Sequence, residues 1–445
     1  MGNRMGGNFF SVPLAMDWLN ASLPFVKVLG AFALILLGIR LKIGLGLSIL
    51  AGGAAMGFLF YVGPVPLLRV AAAALIKEKF LFLAAIVGLI LILSDALERS
   101  GQSRRLMDAL SGYLTSPRWR LVFFPALIGL LPMPGGAVFS APMVKAVSAE
   151  MALKNADRAV INYWFRHVWE LAWPLYPGII LTVALADIPI VTFISRTWPG
   201  VVAMFALGWF FYLRPGVLAS ADLVVAPSAA PRRIGAALRE GAPLLVAIAG
   251  AVGLEAGISA WAPAVPFEWG VIAALLAAVV CIMGQNRLGA AFLFDVLIKK
   301  SLRAMLFVVA AIFIFKDVMQ AAGVVDAMAL SAGDGIALFA AAVFLPFLVG
   351  MVSGINVAFV GATFPLLLGL LDALNMRELM IPYLVLASFA GFTGVMISPI
   401  HICFVLTCEF FGTDLARAWR RLVAPCCCFA LIGGVLFWIL RQAAL

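Results

Sequence analysis

The sequence predicts an all-α polytopic membrane protein made of two inverted repeats, and three observations predict it. The 445 residues are 64% hydrophobic and only 12% charged, with a mean hydropathy of +1.12. Soluble domains carry about 25% charged residues, and many windows here are long enough to supply the roughly 20 apolar residues that cross a bilayer. Helix-breaking residues recur inside apolar stretches of both halves, at Pro132, Met133, Pro134, Gly135 and Gly136 and again at Ser353, Gly354 and Asn356. Most of the 31 basic residues gather on alternate loops, the bias of cytoplasmic loops, which accounts for the net charge of +10 without nucleic acid as a partner.

Taken in order, spans are expected near residues 24–39, 43–62, 80–97, 159–183 and 194–213. A second set follows near 243–261, 267–284, 302–318, 380–410 and 422–440. Between the third and fourth span of each set lies an interrupted apolar stretch, 120–150 and 336–371, read as a re-entrant hairpin of two short helices that enter and leave on the same side. The fourth spans, 159–183 and 380–410, are themselves interrupted and read as discontinuous helices, giving about 10 spans plus 2 hairpins. The first repeat is residues 1–213, the polar stretch 214–242 with Arg232, Arg233 and Arg239 is a cytoplasmic linker, and the second repeat is residues 243–445. Residues 98–119 read as an amphipathic helix along the same face, and the first 22 residues show no cleavable signal pattern.

The halves correspond in order. Ser94, Asp95 and Gly101 match Lys316, Asp317 and Gly323 at one offset; Phe124, Pro125 and Gly129 match Leu345, Pro346 and Gly350; Pro174 matches Pro399. Five spans per half require the second half to be inverted. Charge bias places both termini outside, the first hairpin on the cytoplasmic side and the second on the external side, with tips meeting near the midplane.

Backbone that leaves helical geometry in hydrocarbon exposes N–H and C=O groups that lipid cannot satisfy, so it survives where it lines a wetted cavity. Broken helices therefore point to a binding site. The expected substrate-binding residues are Pro134, Gly135, Gly136 and Ser140 of the first hairpin, Ser353, Gly354, Asn356 and Thr363 of the second, Asn162 and Arg166 of the first broken span, and Ser398 and Pro399 of the second. Thr393 and Thr407 are further polar partners. The second short helix of each hairpin offers free N–H groups and the positive end of its dipole, an anion site; the plainer alternative is that Pro and Gly only make tight turns.

A charge inside a membrane helix is costly and faces a partner or a cavity. At helical spacing Arg166 and Glu170 are four apart, so they share a face and either neutralise each other or serve a substrate. His167, Glu170, His401 and Glu409 are the ion-coupling candidates, and the only two histidines fall in the two broken spans. Asp95, Lys316 and Asp317 read as interfacial charges. The six cysteines lie in apolar spans and read as small buried hydrophobes, with no metal cluster expected. No phosphate-cradling loop, GxSxG, HExxH or CxxC motif occurs, so no enzyme and no organic cofactor is expected, only Na+ or H+ as a coupling ion.

The stretches PMPGGAVFSAPMV, INYWFRHVWELAWPLYPG and SPIHICFVLTCEFFG resemble an uncharacterised bacterial and archaeal integral membrane family within the ion transporter superfamily. That superfamily includes divalent anion/sodium symporters and citrate, gluconate and lactate permeases. The resemblance implies a homodimer in the inner membrane, with scaffold and transport domains and elevator-type movement of the site. Sodium-coupled members carry Ser-Asn-Thr at both hairpin tips, whereas this chain has Pro-Gly-Gly and Ser-Gly-Ile-Asn, a departure that favours protons. The function expected is secondary active transport of a small organic anion, a carboxylate. The alternatives are a neutral or zwitterionic solute such as an amino acid, or an ion channel using the same hairpins.

Overall fold

The computed structural model describes residues 13–114, 116–130, 136–149, 151, 153–214, 232–262 and 264–444. Among them the regular structure is entirely helical. Ten α-helices precede residue 214: α1 (Pro13–Arg40), α2 (Leu45–Leu59), α3 (Pro64–Ala74), α4 (Glu78–Arg99), α5 (Gln102–Ser111), α6 (Pro117–Gly129), α7 (Ala137–Val147), α8 (Asn155–Arg166), α9 (Pro177–Ala186) and α10 (Ile190–Gly208). Ten follow: α11 (Ile234–Trp261), α12 (Glu268–Asn286), α13 (Ala290–Leu297), α14 (Lys300–Ala321), α15 (Val324–Phe339), α16 (Leu345–Ser353), α17 (Asn356–Ala373), α18 (Met380–Ile397), α19 (Ile402–Phe411) and α20 (Leu415–Ala444). Short π-helical turns at Trp209–Leu213 and Ala340–Phe344 extend α10 and join α15 to α16.

Eight helical segments among the described residues are long and apolar enough to cross a membrane, so the chain is a multi-pass membrane protein. Three differences from the expected spans have physical causes. The 43–62 span is α2, only 15 residues, because Phe60 and Tyr61 leave the helix, Tyr61 with φ of 65°. The 302–318 span is α14, 22 residues long but carrying Lys300, Arg303, Lys316 and Asp317. Asn356–Ala373, expected as half of a hairpin, is 18 residues long and meets the length of a span by itself. The short apolar helices α3 and α13 were not anticipated, since 11 and 8 residues fall below any span-length signal.

Among the described residues the most extensive packing is of α11 on α12, α16 on α18, α2 on α14 and α18 on α20, with α12 and α14 also laid against α4. Each interrupted stretch folds back on a broken pair: α6 lies on α8, α16 on α18, α7 on α19 and α17 on α9. Two buried aspartates are paired with cations. Asp95, 8% exposed, takes both Lys299 and Arg99. Asp317, 7% exposed, takes Lys77 at 2.7 Å. The amphipathic helix expected over 98–119 is realised as α5, whose buried Gln102 donates to Glu240 O and Gln285 Oε1 at 2.8 Å each, tying it to α11 and α12.

Candidate functional site

The first broken helix stops at Arg166. Residues 167–176 run as turns, and α9 restarts at Pro177, where a missing N–H costs nothing at a helix start. Within this break Tyr176 donates its hydroxyl to Gly129 O at 2.5 Å, and buried Arg166 donates Nη1 to Tyr176 Oη at 3.0 Å and to Gly129 O at 3.5 Å. Gly129 closes α6, and a Cβ there would stand 2.5 Å from Arg166 O, so only glycine lets α6 lie against the break. The premise that Arg166 and Glu170 share one helical face therefore fails: the helix ends between them. Glu170, 9% exposed, instead accepts a hydrogen bond from Asn356 Nδ2 at 3.0 Å.

Asn356 is the first residue of α17 and sits at the tip of the second interrupted stretch. Gly354 ends α16 in the left-handed region, φ 63°, and Ile355 is extended before α17 begins. Ser353 Oγ accepts from Ile355 N at 3.2 Å and fixes the turn. The tip lies on the second break, Ser398–His401, so closely that a Cβ on Gly354 would meet His401 Cα at 2.8 Å. Gly178, second residue of α9, faces Asn356 Oδ1 in the same way. The N-termini of α17 and α9 thus converge where Arg166, Glu170, Tyr176 and Asn356 meet.

Pro132, Met133, Pro134 and Gly135 lie outside the described residues. Gly136 caps α7, and four residues on, buried Ser140 donates to Asn162 Oδ1 at 2.6 Å. Asn162 Nδ2 in turn donates to Ala137 O at 2.9 Å and reaches Thr407 Oγ1 at 3.4 Å, so one amide ties α7, α8 and α19 together. The two histidines also meet. The rings of His167 and His401 are 4.9 Å apart, and that of Tyr163 is 4.6 and 5.3 Å from them. His167 Nδ1 lies 2.6 Å from Tyr163 O, and the Tyr163 hydroxyl donates to Met396 O at 3.1 Å.

Four expected residues stay apart from this convergence. Thr363 turns its hydroxyl back to Phe359 O within α17, and Thr393 does the same to Phe389 O within α18. Glu409 is exposed on α19, and Pro399 is exposed at the second break. Ser398, buried beside it, keeps its place. Tyr163, Tyr176, Gly129 and Gly178 stand outside the expected site residues, although a tyrosine between two prolines in WPLYPG marks a polar group held in a break. Cys403, expected as a small hydrophobe, stands with His167 and His401, their ligand atoms all within 4.8 Å of one another.

A family model described as a protein of unknown function, DUF401, matches residues 25–220 and 264–440, and the chain belongs to that family. No curated protein matches the chain.

Proposed function

We propose that this member of the DUF401 family is a secondary active transporter of a small organic anion, built from two inverted repeats. The repeat is supported by interchange of packing partners: α1–α2 answers α11–α12, α2–α14 answers α12–α4, α6–α8 answers α16–α18, and α7–α19 answers α17–α9. It is supported again by the ion pairs, since Lys77–Asp317 and Asp95–Lys299 exchange into each other at the offset that relates Gly101 to Gly323. Those two glycines share positive φ, 68° and 62°. On this reading α6–α7 and α16–α17 are the paired hairpins, α8–α9 and α18–α19 the discontinuous helices, and the outer helices the scaffold of an elevator.

The observation that carries the anion is the seat of Glu170. Its carboxylate lies against Asn356 at the start of α17, where free N–H groups and the helix dipole favour negative charge, with Arg166 held nearby by Tyr176. Glu170 thus occupies the kind of place a substrate carboxylate would take. Protonating Glu170 would release the amide and the helix end to the substrate, which couples anion entry to a proton. A zwitterionic solute is the second reading, favoured by Glu170 itself, which could hold an amine opposite Arg166.

Uptake by the purified protein in proteoliposomes tests this. Accumulation of a radiolabelled carboxylate under an inward proton gradient is expected, with saturation. Arg166→Ala and Glu170→Gln should each cut it by about 100-fold or more, the scale of a lost charged partner of roughly 3 kcal/mol. Flux that neither saturates nor accumulates would make the protein a channel instead.

A further inference from the structure

The cluster of His167, His401 and Cys403 is not used by the transport reading and has the makings of a metal site. We propose that these three residues bind one soft, monovalent metal ion, Cu(I), at the crossing of the two broken helices. The inference does not depend on what the protein transports.

Four observations lead to it. The ligand atoms of the three side chains all lie within 4.8 Å of one another. Bonds of about 2.0 Å to nitrogen and about 2.3 Å to sulfur place ligands of one ion roughly 3.5–4 Å apart, so closure needs side-chain rotations alone. His167 is already oriented as metal-bound histidines are. Its Nδ1 is 2.6 Å from a carbonyl, Tyr163 O, which can only accept, so the ring donates there and Nε2 carries the lone pair. His401 is 93% buried by its 7% exposure, and its Nδ1 has no hydrogen-bond partner, a cost that a metal would remove. All three residues are buried, and the two histidines belong to different breaks, at the C-cap of α8 and the N-cap of α19.

The donor set and its surroundings choose the ion. Thiolate with imidazole selects soft ions such as Cu(I) or Zn(II) over Na+, Mg2+ or Ca2+. Cys403 gives up its thiol proton on binding, so a monovalent ion leaves the site neutral and a divalent one leaves it positive. Arg166, the chain neighbour of His167, is buried beside the cluster. A net positive site beside that guanidinium is disfavoured in a low-dielectric interior, and the three His and Cys ligands grouped among the described residues suit trigonal Cu(I) better than tetrahedral zinc.

The test titrates purified full-length protein with Cu(I) under argon against a chromophoric Cu(I) chelator, with X-ray absorption at the copper edge on the loaded sample. One ion per chain is expected, with two nitrogens and one sulfur in its shell. Cys403→Ser and His401→Gln should each weaken it by at least about 100-fold, since even outer-shell changes cost 10–100-fold, while Cys426→Ser should not. The absorption spectrum judges the wild type even if a variant fails to fold. An all-sulfur shell, equal copper in the wild type and both variants, no copper held by the wild type, or tighter binding of Zn(II) than Cu(I) would each overturn the proposal.

Discussion

Gly350→Ala should destabilise the fold where α16 meets α18. A Cβ on Gly350 would stand 2.2 Å from Gly391 O and 3.1 Å from Val395 N, and one on Gly394 would stand 2.2 Å from Phe347 O. Both obstacles are backbone, so no rotamer change relieves them. Carbon meets carbonyl oxygen no closer than about 3.3 Å in ordinary contacts, so α16 and α18 must part by roughly 1 Å. Overpacking of this kind costs about 1–3 kcal/mol, and backbone against backbone belongs at the upper end. Alanine's helix preference over glycine returns at most about 1 kcal/mol, leaving a net loss of roughly 2 kcal/mol. Gly434→Ala on α20 is the matched control, because nothing lies within 4 Å of a Cβ there. Thermal unfolding in detergent, followed by tryptophan fluorescence, should show Gly350→Ala several degrees below the wild type and Gly434→Ala at or above it. Equal midpoints for the two variants would refute the close approach of α16 to α18. Because Gly354 is four residues further along the chain, the same substitution should also shift the turn between α16 and α17 and, on the proposed function, weaken ligand binding.

Tyr176→Phe removes the hydroxyl that donates to Gly129 O and receives Arg166, taking the shorter of its hydrogen bonds from buried Gly129 O; about 1 kcal/mol of stability should be lost by thermal unfolding. Asp95→Lys should destabilise by placing a third cation among Lys299 and Arg99, and adding Lys299→Asp should restore part of the loss. A double-mutant cycle on this half-exposed pair should read about 1 kcal/mol, and the Lys77–Asp317 cycle should match it in sign and size if the two are repeat equivalents. Glu255→Ala should cost about 1–2 kcal/mol, because buried Glu255 accepts from Ile190 N at 2.6 Å and so caps α10 from a neighbouring helix.

The membrane class, the two interrupted stretches and the two broken spans were legible because hydropathy and Pro/Gly punctuation act over many consecutive residues. The breaks at 167–176 and 398–401 fall inside the expected spans 159–183 and 380–410, where Pro174, Pro177 and Pro399 stand. The matched offset of Asp95 and Asp317 was visible too, but not its meaning: Lys77 and Lys299, their partners, are near in space only once α4 and α14 have packed. Helical spacing misled at Arg166 and Glu170, since periodicity assumes a helix that the prolines then end. The meeting of Asn356 with Glu170, and of Cys403 with the two histidines, depends on how two distant breaks cross, which no local pattern encodes.

The paired breaks are proposed to form an anion site with Arg166 and Asn356 as its donors, and a ligand that binds the folded state raises its unfolding temperature by mass action. The measurement to make is thermal unfolding of the purified protein across organic acids, amino acids and sugars, repeated with Arg166→Lys and Asn356→Ala. A carboxylate that stabilises the wild type, is more effective at lower pH and loses its effect in both variants is the predicted result. Stabilisation by neutral solutes alone, or by a carboxylate equally in all three proteins, would contradict it and return Arg166 to a structural role.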